Sequence, residues 1–141
     1  MAGRAAIFLD TAHVLALTND RDQWHAVALQ WSERIASDGL LLITTEFVLI
    51  EIGNALAAVH ARKLAVEVIR AMRSSDSVEI VPSSRALFEA ALALYSGRAD
   101  KHWGLTDCSS FVTMTDRGIT QALTVDQHFE QAGFRALLLE R

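Results

Sequence analysis

Short apolar runs of strand length alternate along this chain with segments whose apolar residues recur at helical spacing, and that order leaves few folds open. Ala5-Ala6-Ile7-Phe8-Leu9 is apolar, stops at Asp10 and is followed by helix-compatible Thr11-Ala12-His13-Val14-Leu15. The pattern predicts a strand over 5–10, helices over 12–18 and 22–37, and a strand over 40–44 after the stop at Asp38-Gly39. A helix over 45–60, with Val48, Ile52, Ala55 and Val59 on one face, pairs with an antiparallel neighbour over 64–73. Val78-Glu79-Ile80-Val81 alternates as a strand, Pro82 ends it, and Ser83 or Ser84 caps a helix to residue 96 that Gly97 closes. Thr106 is the expected N-cap of a helix over 107–117, with Gly118 as its stop, and 121–124 and 134–138 complete the strands. Such alternation implies an α/β fold, a three-layer sandwich in which helices cover both faces of a mostly parallel sheet joined by right-handed crossovers.

At 141 residues, with only 7 glycines, 1 proline and no repeat, the chain reads as one domain spanning 1–141. A hydrophobic content of 51% exceeds what such a core needs and suggests a face for a partner or a second copy. The net charge of −4 argues against indiscriminate nucleic-acid binding through a basic surface, although a nuclease with local basic residues and a metal still fits. Cys108 is the single cysteine, so no intrachain disulfide forms and a reducing cytoplasm is the expected location. The apolar runs fall far short of the roughly 20 residues a membrane span requires, and the first is too short for a signal-peptide core.

Four acids stand where regular elements begin, end or turn an apolar face: Asp10, Glu51, Asp107 and Asp126. Each has an ordinary explanation. Asp10 and Asp126 follow strands and suit helix N-caps, Asp107 falls in a first helical turn where the helix dipole favours an acid, and Glu51 could share a solvent stripe with Glu46 or Asn54. Yet in a parallel sheet the strand C-terminal ends point the same way, so acids after strands and crossovers converge at one edge. Clustered carboxylates repel unless protons or a cation neutralise them, and an all-oxygen shell suits Mg2+ or Mn2+. The five histidines lack the close pairing of a zinc site, and His13 is read as a packed or surface residue.

The chain resembles the PIN-domain ribonucleases, and within them the VapC-like toxins of bacterial toxin–antitoxin pairs. The carriers are Phe8-Leu9-Asp10-Thr11, Thr44-Thr45 through Glu51, Asn54-Ala55-Leu56, the run from Asp100 to Phe111, and Ala122-Leu123-Thr124-Val125-Asp126-Gln127-His128-Phe129 with Gln131-Ala132-Gly133-Phe134. Each motif is weak singly, but their order covers the whole chain. The resemblance implies metal-dependent endonucleolytic cleavage of RNA, leaving 5′-phosphate and 3′-hydroxyl ends. Asp10, Glu51, Asp107 and Asp126 then fill the catalytic and metal-binding positions, Thr11 and Thr124 support them, and Asp100 takes an outer-shell or structural role.

Arg62, Lys63, Arg98 and Lys101 are the foremost candidates for contacting RNA, alongside Arg70, Arg73 and His102. Trp103 could stack a base, but core packing is the stronger reading. The resemblance further implies an antitoxin partner seated in a groove between helices, drawing on residues such as Val14, Trp24, Val27, Trp31 and Leu49, and a homodimer. Two rival readings exist. A receiver-like phospho-acceptor domain wants an acidic pair after the first strand and a lysine after a late one, which this chain lacks. A catalytically silent PIN-like binding module is disfavoured because all four acidic positions are filled.

Overall fold

The computed structural model describes residues 5–140. Its elements run β1 (Ala6–Leu9), α1 (Thr11–Thr18), α2 (His25–Asp38), β2 (Leu41–Thr45), α3 (Glu46–Ala55), α4 (Arg62–Ser74), β3 (Val78–Val81), α5 (Arg85–Gly97), α6 (Leu105–Arg117), β4 (Gln121–Leu123), α7 (Gln127–Gln131) and β5 (Arg135–Ala136). All four strand pairings are parallel, in the order β3-β2-β1-β4-β5. The chain therefore builds outward from β1 through β2 to β3, then returns across the sheet to place β4 on the other side of β1. With right-handed crossovers that reversal puts helices on both faces, as the alternating pattern requires.

The central strand is apolar because it is covered on both sides: Ile7, Phe8 and Leu9 are all buried. An aromatic cluster carries the packing of α6 and α7 against the sheet. Phe111 meets Phe129 edge to face at 4.9 Å and Trp103 at 5.0 Å, and Phe129 lies 6.3 Å from Phe8. Trp103 is buried and its indole N–H donates to Gln131 Oε1 at 3.1 Å, so it is a core residue with a satisfied polar edge rather than an exposed stacking platform.

Several boundaries differ from the sequence expectation. Helix α2 starts at His25 rather than 22, because the Asp22 carboxylate accepts the Trp24 N–H at 2.7 Å and holds a turn ahead of it. Helix α3 ends at Ala55, and a separate 3-10 turn, Val59–Ala61, leads into α4. Helix α6 begins at Leu105 with Gly104, not Thr106, as its N-cap, since the Asp107 side chain reaches back to the Gly104 N–H. The last strand is only two residues long, because Leu137–Leu139 folds into a 3-10 turn. Gly39 and Gly118 do end their helices, with φ of 64° and 66° that glycine adopts without strain. Gly97 instead remains inside α5 and Arg98 caps it.

Removing the ring at the centre of the aromatic cluster should be severe: Phe111→Ala is expected to destabilise the fold by about 3–5 kcal/mol, as read from the midpoint of urea unfolding.

Candidate metal centre

The centre lies where the sheet changes direction, between the C-terminal ends of β1 and β4, the crevice in which open α/β sheets take their ligands. Leu9 is in register with Leu123, so the next residues of each strand, Asp10 and Thr124, emerge side by side. The Thr124 hydroxyl donates to Asp10 Oδ2 at 2.8 Å and accepts the Asp126 N–H at 3.0 Å. One buried hydroxyl thus fixes the first acid and the backbone of the last. Behind them the Thr44 hydroxyl donates to the Leu9 carbonyl at 2.8 Å and ties β2 to the end of β1.

Asp10 occupies the N-cap position of α1, but its side chain makes no capping bond; it turns to Thr124 instead. Only 6% of the residue is exposed. Burial raises its pKa from 3.8 to about 7; the Thr124 bond opposes the rise, and the charges of Glu51 and Asp107 add to it. Glu51 is half-buried on α3, whose start is set by Thr45 accepting the Val48 N–H and whose buried residues are Val48, Leu49 and Ile52. Glu46 accepts the Ser83 N–H and Asn54 is exposed, while the charge of half-buried Glu51 acts on Asp10.

Asp107 is in the first turn of α6, and Oδ2 accepts the Gly104 N–H at 3.1 Å. Burial, together with the charge of Asp126, also pushes its pKa up. Asp126 caps α7, with Oδ1 accepting the His128 N–H at 2.8 Å. Capping and clustering therefore coexist in these two acids: backbone amides orient the carboxylates without neutralising them. The structure brings the four acids into one electrostatic chain, Glu51 to Asp10 to Asp107 to Asp126.

His128 joins them, and sequence reasoning passed over it. Its Nδ1 lies 3.2 Å from Asp107 Oδ2 and 3.3 Å from Asp126 Oδ1. Ligand atoms of Asp107, Asp126 and His128 all lie within 4.8 Å of one another. The only signal in the sequence was its place two residues after Asp126, in the turn which that aspartate caps. His13, in contrast, is packed in the core beside Ser32, and burial lowers its pKa to about 4.

The remaining candidates are distributed differently. Thr11 is buried beside Asp10, and its hydroxyl has no hydrogen-bond partner among the described residues. Asp100 stays exposed and accepts both prongs of the Arg98 guanidinium at 3.0 and 3.2 Å, with Lys101 3.9 Å away. Arg98 also lies over the Trp103 ring at 5.0 Å, and Arg62 and Lys63 are exposed in the first turn of α4.

The residues suit a hard divalent cation. Carboxylates supply the oxygen donors, a buried acid stands beside an unpartnered hydroxyl, and among the described residues no lysine or arginine pairs with any of the four acids.

The model of the PIN domain family matches residues 7–135. No curated protein matches the chain significantly. Four solved chains do. Among them is Mycobacterium tuberculosis VapC20, a toxin that cleaves the sarcin-ricin loop; it is 27% identical, superposes with a TM-score of 0.80, and the match covers 92% of this chain and 97% of that one. With the family model spanning nearly the whole length, and with acids gathered at the switch point of a parallel sheet, the chain belongs to the PIN-domain family.

Proposed function

We propose that this protein is a metal-dependent endoribonuclease, the toxin of a toxin–antitoxin pair, with Asp10, Glu51, Asp107 and Asp126 as its catalytic and metal-holding residues. The observation that carries this reading is the convergence of the four acids at the ends of β1 and β4, in a chain similar along its length to an RNA-cleaving toxin. A bound Mg2+ or Mn2+ would supply Lewis acidity and offset the charge that builds on the phosphoryl oxygens during hydrolysis.

The protein's own groups prepare that chemistry. Thr124 holds the Asp10 carboxylate in one orientation, and the amides of Gly104 and His128 do the same for Asp107 and Asp126. Burial raises the pKa of Asp10 to about 7, so a cation held beside it would favour its ionised form. Thr11 offers an additional hydroxyl beside it. Arg62, Lys63, Arg98 and Lys101 are the proposed contacts to the RNA backbone, with Arg98 and Lys101 held in place by Asp100.

The similarity to VapC20 makes the sarcin-ricin loop the first substrate to test. For the antitoxin, a groove on α2 lined by Trp24, Val27, Trp31 and Arg34 suits an amphipathic helix, whereas Val14 is buried in the core and takes no part. Phe88, Leu92 and Tyr95 form an exposed apolar stripe on α5 and support self-association as a homodimer. No helix among the described residues is long and apolar enough to cross a membrane, and the cytoplasm is the proposed location.

Purified protein should cut an RNA hairpin carrying that loop in the presence of Mg2+ or Mn2+ and stop when EDTA is added. Asp10→Asn and Asp107→Asn should each lower the rate by roughly 100-fold. Undiminished cleavage in EDTA would remove the metal from the mechanism.

The Asp10 proton also makes stability depend on pH. Its pKa is higher in the folded state, so its stabilising effect is complete below the unfolded value near 3.8 and is lost as pH rises through about 7. Asp10→Asn keeps an acceptor for Thr124 but removes the charge. Without metal at about pH 8 it should therefore be more stable than the parent, by at most roughly 4 kcal/mol. Thermal melts should show this advantage shrinking towards pH 5 and Mn2+ stabilising the parent more than the variant.

A further inference from the structure

The four carboxylates leave one donor of the cluster without an assigned role. We infer that His128 is a nitrogen ligand of the cation, so that the centre carries a mixed oxygen–nitrogen donor set and favours a first-row transition ion such as Mn2+ over Mg2+. The inference rests on the metal-dependent reading above and adds to it both a residue and an ion preference.

Position is the first argument. His128 is the second residue of α7, and its own backbone N–H is the group that Asp126 caps, so ring and carboxylate are fixed by the same turn. That turn sets Nδ1 between two acids from different helices, 3.2 Å from Asp107 Oδ2 and 3.3 Å from Asp126 Oδ1. Adjacent ligands of an octahedral ion with bonds of about 2.1 Å lie roughly 3 Å apart, so Nδ1 stands at close to ligand spacing from each of the two acids, whose own ligand atoms lie within 4.8 Å of each other.

Bond geometry is the second. A charge-assisted hydrogen bond from nitrogen to a carboxylate settles at about 2.7–2.9 Å, and one N–H aims well at only one acceptor. His128 Nδ1 is at hydrogen-bond distance from Asp107 Oδ2 and nearly as close to Asp126 Oδ1, so a single N–H on that nitrogen would serve one oxygen and leave the other facing the ring without a bond. Neutral imidazole can carry its hydrogen on Nε2 and turn the Nδ1 lone pair towards that centre. Such a nitrogen suits transition ions, whereas Mg2+ keeps oxygen ligands and its own water.

The test uses the full-length protein without RNA, with Mn2+ as the probe, followed by electron paramagnetic resonance. Bound Mn2+ in the parent should show the hyperfine coupling of a directly ligated imidazole nitrogen in pulsed spectra. His128→Asn should lose that coupling and bind Mn2+ about tenfold more weakly, while Mg2+ affinity, read by competition, changes about twofold or less. Bound Mn2+ without nitrogen coupling in the parent, or coupling that survives in His128→Asn, would overturn the assignment and leave the nuclease reading standing. A parent protein that binds neither Mn2+ nor Mg2+ would sink both.

Discussion

The hydroxyl of Thr124 is the joint on which this site depends. Parallel pairing of β1 with β4 sets Asp10 and Thr124 next to each other, and the hydroxyl spends its hydrogen on the Asp10 carboxylate and a lone pair on the Asp126 amide. An acid is thereby built into the end of the central strand, where water is largely excluded. Its charge has no basic side chain to meet it among the described residues, and Glu51 and Asp107 add negative potential. The sheet is thus folded around a carboxylate whose ionisation is made harder by burial, with a pKa of about 7, which couples the charge of the site to the stability of the fold.

Helix capping and metal holding are usually weighed as alternatives for an aspartate at a helix start, and in the proposed site they are complementary. Asp126 accepts the amide that begins α7, and Asp107 accepts the amide of Gly104 ahead of α6. A carboxylate has lone pairs to spare, so one or two amide bonds fix its direction and leave acceptor capacity for an ion. The amides add partial positive charge but no compensating full charge. Orientation without neutralisation is what a site needs if its ligands are to wait in place for a cation.

Much of this was legible in the sequence, because the signals were local. Apolar runs ended by Asp10 and by Thr124 marked the two strands, Gly39 and Gly118 marked helix ends, and strand-end acids in a parallel sheet could only gather at one edge. What escaped depended on distant contacts. His128 meets Asp107 across 21 positions through the approach of α7 to α6, and no spacing rule for a lone histidine reports such a meeting. Asp100, close to Asp107 in sequence, is exposed and bonds Arg98 two residues before it. The start of α6 was misplaced for a related reason: Thr106 has the better capping side chain, but the bond from Gly104 to Asp107 decides where the helix begins.

The central claim, that these acids form one cation site, is tested most directly by diffraction from crystals soaked in Mn2+, using the anomalous signal of the ion. The account predicts a strong peak at the ends of β1 and β4, within bonding distance of Asp10 and of at least one of Glu51, Asp107 and Asp126. A well-ordered cluster with no peak there, or Mn2+ found only elsewhere on the molecule, would contradict it.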